Sequence, residues 1–292
     1  MGDAEQALLK MSPVENAAVG VGAGTIEVIA LQPILYWKNA TQQGLPLSLN
    51  PRMLYRGLST SVVNMATLTG LQFPLTGAVA KAITGGEERP LGDGEKVGAA
   101  FCGGFISGLA CGPFELTMIQ QQRFGGSIVG TPARLISTFG LGGMSRGLLM
   151  SCGREGIYTA GVLGTCPVFI DKFKARGFST NQAKMGGAIC AGVMSASLSH
   201  PMDTVKSCLQ GDIEQKTYTS NAGTFRTLWA EGGASRFFSG YLFRTGRMIL
   251  AVGIMNECKL CLSPLRFPQH SARAVGCSRM RILHENTKED LK

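Results

Sequence analysis

Apolar and small residues gather into six long stretches of this chain, at about 16–38, 57–80, 97–120, 147–170, 185–209 and 240–262. Each approaches the roughly 20 residues that a helix needs to cross a bilayer. Several carry a charge or an amide, so a plain hydropathy window scores them weakly. That pattern suits helices lining a wet cavity better than helices ringed by lipid. Glycine and alanine recur inside the stretches, as they do where membrane helices pack closely. The connections are polar. Gly85, Gly86, Gly92 and Gly94 mark a loop over 81–95, and Lys172 to Asn181 reads as another. Pro46 and Pro51 leave the segment between Gln42 and Tyr55 too short for a useful helix. Asn221 to Glu231 predicts a short amphipathic helix with Phe225, Leu228 and Trp229 on its apolar face. Ala133 to Phe139 predicts a shorter version.

The fifth stretch runs into Pro201-Met202-Asp203-Thr204-Val205-Lys206. An acid and a base at membrane depth each cost roughly 2.5–3.5 kcal/mol and need partners. Related segments show where partners lie. Pro33-Ile34-Leu35-Tyr36-Trp37-Lys38 keeps the proline and the base, with leucine for the acid. Pro113-Phe114-Glu115-Leu116-Thr117-Met118 keeps the proline and the acid, with methionine for the base. Gln42, Gln122 and Gln210 each fall nine residues after a proline. A second signal follows each motif: Tyr55-Arg56-Gly57, Ser145-Arg146-Gly147 and Phe238-Ser239-Gly240. Upstream, Gly20/Gly24, Ala100/Gly104 and Ala188/Gly192 share one register, 13 and 9 residues before the prolines.

These coincidences define a threefold internal repeat. The chain divides into a tail over 1–13, repeats over 14–90, 91–181 and 182–262, and a basic tail over 263–292, on the surface or along the membrane. The fold expected is an all-α membrane protein. It has six transmembrane helices in three pseudo-symmetric two-helix repeats around a central cavity. A proline inside a helix removes a hydrogen bond, so the odd helices are expected to bend at Pro33, Pro113 and Pro201.

Composition narrows the function. Charged residues make up 16%, against about 25% in soluble proteins. The net charge is +9, but the bases form no run interleaved with aromatics, which argues against a nucleic-acid partner. An anionic membrane surface or an anionic solute fits better. Nine cysteines are scattered singly, and the lone Cys258/Cys261 pair has no second pair or histidine nearby. No metal or cofactor is expected. Of the three histidines only His200 lies in an apolar stretch, and no nucleophile–base pair is visible, so no enzyme is expected. The first residues show neither a secretory nor a transit pattern, so no cleavable presequence is expected.

Three in-register motifs of this kind resemble those of the mitochondrial carrier family, over roughly residues 14–262. The resemblance implies alternating-access transport across the mitochondrial inner membrane, with both termini on the intermembrane-space side. It implies a matrix gate in which the acid of each repeat pairs with the base of the next. Carried over, Glu115 pairs with Lys206, and Asp203 with Lys38. Leu35 and Met118 fill the third position, where loss of both charges leaves none unpaired. Asp203 and Lys206 are then expected to face these neighbours rather than each other. Gln42, Gln122 and Gln210 match the family's braces. A second gate at the even-helix ends is eroded: Asp171 and Lys174 keep a suitable spacing, Gly77 and Ala80 do not, and Glu257 is out of register.

The family's solute contacts lie about two turns into the even helices, which carries over to Asn64, Arg154 and Arg247, with Glu155 and Met248 beside two of them. Two guanidiniums and a carboxylate suit a small anionic or zwitterionic, amino-acid-like metabolite. The alternative role for the arginines is pairing with Glu155 or helix carbonyls. Arg244, one turn before Arg247, is read as lying at the membrane boundary. Membrane lipids, including cardiolipin at loop-helix ends, are expected partners. A second function stays open: a transport-impaired accessory or structural subunit of a larger inner-membrane respiratory complex.

Overall fold

A computed structural model describes residues 13–87, 89 and 91–266. Their regular structure is entirely helical. The helices are α1 (Pro13–Gln42), α2 (Pro51–Leu54), α3 (Leu58–Ile83), α4 (Asp93–Phe124), α5 (Gly130–Gly143), α6 (Leu148–Ala175), α7 (Thr180–Gly211), α8 (Asn221–Phe237) and α9 (Tyr241–Arg266). The chain forms two compact units. Among the described residues, one contains the first half of α1 and the second half of α9. The other is Val28–Val252 and holds every contact described below.

The long helices start where the chemistry allows. Ser179 caps α7 in a box with Gln182, each side chain accepting from the other's backbone amide. The Glu95 carboxylate accepts from the Gly92 amide at 2.8 Å ahead of α4. The even helices α3, α6 and α9 follow Gly57, Gly147 and Gly240, at φ +77°, +69° and +76°, a conformation that glycine adopts without strain. These glycines also set the order of the repeats. A Cβ at Gly57 would lie 3.2 Å from the Met118 carbonyl, and one at Gly240 3.0 Å from that of Lys38. One at Gly147 would lie 3.1 Å from the Gln210 side chain and 3.5 Å from the Lys206 carbonyl. Each repeat's even helix therefore begins against the odd helix of the next, and the third returns to the first.

Small residues make close approaches elsewhere. A Cβ at Gly108 would sit 2.7 Å from the Cys152 backbone, and one at Gly104 2.5 Å from the Thr159 hydroxyl. At Gly161 it would meet the Ser195 hydroxyl at 2.2 Å. The close face expected at Gly104 thus exists, and it continues through Gly108 and Gly112 along α4.

Pro33, Pro113 and Pro201 lie inside helices that continue past them. Pro74 and Pro167, inside α3 and α6, escaped the sequence reading. Other expectations need correction. Lys172 to Asn181 is not a loop throughout: α6 runs to Ala175 and α7 begins at Thr180. The polar residues there extend the helices rather than break them. The segment before Tyr55 holds one turn, capped by the Asn50 side chain accepting from Arg52 N at 3.0 Å. Both short amphipathic helices are longer than expected, broken at Gly140 and at Gly232-Gly233. On α8, Leu228 is fully buried while Trp229 is 64% exposed. Among the described residues, one helix stretch, Gly94–Phe124, is long and apolar enough to cross a membrane by composition alone. The tail over 1–12, residues 267–292, and the side chains of Glu257, Cys258 and Cys261 lie outside the described residues.

Candidate solute and gate site

The site forms where α1, α4 and α7 pass their prolines. Lys38 Nζ lies 2.7 Å from Asp203 Oδ2, and Lys206 Nζ lies 3.2 Å from Glu115 Oε1. All four side chains are at most 8% exposed. Lys206 is also 3.3 Å from Asp203 Oδ1, so the expectation that these two avoid each other is corrected: one turn of helix lets the ammonium serve both acids. Gln42 Nε2 donates to Asp203 Oδ2 at 2.9 Å. Gln210 Nε2 reaches Ser151 Oγ at 3.4 Å, and Ser151 in turn donates to Glu115 Oε2 at 2.8 Å.

Two arginines from even helices enter the same network. Arg154 Nη2 lies 2.5 Å from both Glu115 Oε1 and Glu155 Oε1, and its Nε is 3.5 Å from Asp203 Oδ1. Arg244 is 8% exposed, donates to Ser199 Oγ at 2.6 Å and approaches Asp203 Oδ2 at 3.5 Å. Its side chain is turned inward onto the buried carboxylate of Asp203. Four cations (Lys38, Arg154, Lys206, Arg244) thus face three carboxylates (Glu115, Glu155, Asp203) in one buried cluster. Removing one member strands the rest, at a cost of about 3–5 kcal/mol for a buried pair.

The third position differs. Met118 is 5% exposed and its Sδ accepts from Ser61 Oγ at 3.1 Å. Gln122 does not brace a charge; its Oε1 accepts from Asn39 Nδ2 at 2.7 Å. Leu35 is half-buried. Ser61, Ser151 and Arg244 all lie four residues after the even-helix glycines and all touch the proline-motif residues. That register was available in the sequence, three residues short of the contact register, and it singles out Arg244 and Ser151.

The remaining contact positions are less committed to the network. Asn64 is half-buried, and its Oδ1 has no hydrogen-bond partner among the described residues. Arg247 and Met248 are half-buried on α9. A Cβ at Gly192 would lie 2.8 Å from Met248 Cε, so Met248 packs on α7. Tyr158, one turn after Arg154, lies in the field of Arg244, Glu155, Arg247 and Arg154. Asp171 and Lys174, the candidate outer-gate pair, are both exposed.

Among the described residues, the long helices thus approach one another in a cyclic order, with a buried charge cluster beyond the prolines. Residues 179–258, essentially the third repeat, match the mitochondrial carrier protein model. The chain is 26% identical to an uncharacterized mitochondrial carrier of Schizosaccharomyces pombe, over 84% of this chain and 91% of that one. It is 24% identical to the tricarboxylate transport protein of Saccharomyces cerevisiae, over 76% and 78%. These similarities are all with the mitochondrial carrier family, a class whose members carry solutes across the mitochondrial inner membrane.

Proposed function

We propose that the protein carries a small anionic metabolite by alternating access, its carboxylates received by Arg154, Arg247 and Arg244 with Asn64 and Tyr158 alongside. The observation that carries this reading is the double position of Arg154. It occupies a solute-contact register, yet its guanidinium is held by Glu115 and approaches Asp203. An incoming carboxylate that competes for its planar fork loosens the network from within. Solute binding and gate release then share one side chain. Opening the matrix side requires parting Lys38 from Asp203 and Lys206 from Glu115, with Gln42 and Gln210 releasing together with them.

The zwitterionic reading needs Glu155 to meet an ammonium. Glu155 is 3% exposed and bonded to Arg154, and cations outnumber acids in the cluster, which favours an anion. The similarity to the yeast tricarboxylate transport protein points the same way. Uptake of labelled di- and tricarboxylates against amino acids into liposomes tests the choice: saturable uptake of amino acids alone reverses it.

An anionic lipid headgroup, such as that of cardiolipin, fits a cavity of about 430 Å³ lined by Arg146, Gly147, Ser220 and Asn221 among others. It lies where the amino ends of α6 and α8 converge, and helix amino ends favour anions. The accessory-subunit reading is favoured by the missing third ion pair. Stable co-migration with a respiratory complex, together with no uptake of any solute, would establish it.

A further inference from the structure

At the join between the first and second repeats, where the charge pair is lost, α1 and α4 are still bonded to each other. Asn39 lies one residue beyond Lys38, and Gln122 one turn beyond Met118. Both are buried, at 1% and 4% exposure, and Asn39 Nδ2 donates to Gln122 Oε1 at 2.7 Å. The same layer is tied at its second join. Gln120 Nε2 donates to the Gln210 carbonyl at 2.7 Å, and Arg123 Nη1 to the Gly211 carbonyl at 2.7 Å. At the third join the Cys208 thiol donates to the Gln42 carbonyl at 3.1 Å. Thr60 Oγ1 donates to Gln121 Oε1 at 2.7 Å, fixing α3 to α4 beside the neutral join.

We infer that the Asn39–Gln122 amide bridge is a neutral latch that closes the first-to-second repeat join in place of an ion pair. Three observations carry this. The bond is the polar side-chain link between α1 and α4 at this join among the described residues. It is buried, where an amide bond is stronger than in water. And Gln122, which the repeat aligns with Gln42, turns to an amide on α1 while Gln42 turns to a carboxylate. The latch carries no net charge, so it is directional and insensitive to salt. Asn39 Oδ1 and Gln122 Nε2 have no partners among the described residues, so part of each amide's hydrogen-bonding capacity stays unused. The latch's part in opening and closing rests on the transport reading; its role in holding the join does not.

The test is a double-substitution cycle read by thermal unfolding of the full chain in detergent. Asn39→Leu and Gln122→Met keep size and remove polarity. Each alone strands a buried amide, while both together leave an apolar contact, which is nearly neutral when shapes match. The expected result is a lowered midpoint for each single variant and recovery of most of that loss in the double. Additive losses overturn the latch, as do single variants that unfold like the wild type. If a single variant does not fold, Asn39→Ser and Gln122→Ser replace it under the same criterion. A protein that takes up no solute yet shows recovery in the double loses the transport reading and keeps the latch.

Discussion

Two joins between the odd helices are made by buried ions, and one is made by amides. Lys38–Asp203 and Lys206–Glu115 close the charged joins, with Gln42 on one and Ser151 on the other. Asn39–Gln122 closes the neutral one, with Ser61 of α3 bonded to Met118 beside it. The difference teaches that losing a charge pair need not leave a join without a polar link. The loss of both charges removes two desolvation penalties at once, and neutral polar groups one turn further on supply direction. The charged joins in turn carry extra cations. Arg154 and Arg244 come from even helices and crowd toward Asp203, so the charge is concentrated on the third repeat's motif rather than spread evenly.

The largest effect is expected from breaking the charged side. Asp203 faces Lys38, Lys206, Arg154 and Arg244. Asp203→Ala strands these cations and is expected to lower stability by about 3–5 kcal/mol, seen in the unfolding midpoint, and to abolish uptake. An unchanged midpoint would mean that the ring is not a structural closure. Next in size is Arg154→Lys. It keeps the charge but removes the fork that reaches Glu115, Glu155 and Asp203 together, and uptake should fall roughly tenfold or more for each bond of about 1.4 kcal/mol lost. Unaltered uptake in that variant would separate the contact register from the gate.

The neutral join can be converted rather than broken. Leu35→Glu with Met118→Lys offers a third ion pair. Either change alone leaves a buried charge unpaired, so each single variant should be less stable than the double. Double and single variants that behave alike would show that Leu35 and Met118 do not face each other as the repeat implies. The smallest effect lies outside both joins. Asp212, just after α7, accepts from the amides of Lys216, Thr217 and Tyr218. Partial burial works to raise its pKa, but those three amides and Arg146 outweigh it and hold it below the ordinary carboxylate value. A depressed folded pKa means that the contribution is full above the unfolded value of roughly 3.9 and fades as pH falls through the folded one. Asp212→Ala should lower the midpoint by about 2 °C at neutral pH and lose its effect in acid.

How much of this was legible before the structure follows from the same contrast. The helices, their order and both ion pairs could be read because the proline motif repeats in register and buried charges must find partners. The neutral latch could not, since asparagine and glutamine look alike whether they face lipid headgroups, water or one another. Arg244 was read only as an interfacial anchor, which an arginine near a helix start resembles, so its contact with Asp203 was missed. Its shared register with Ser61 and Ser151, which also reach proline-motif residues, is the pattern that singles it out. Arg154 was placed at the solute contact, but its bond to Glu115 of the preceding helix depends on how closely α4 and α6 approach. That closeness comes from the glycines at 104, 108 and 112, whose combined effect is a matter of packing rather than pattern.

The most direct measurement is uptake of labelled di- and tricarboxylates into liposomes by the wild type and by Arg154→Lys, with the solute also tested as a stabiliser of the wild-type unfolding midpoint. Coupling of binding to the gate through Arg154 predicts saturable wild-type uptake and a solute-dependent rise in midpoint, both strongly reduced in Arg154→Lys. Carboxylate uptake and stabilisation that persist undiminished in Arg154→Lys, or that are absent from the wild type, would contradict it.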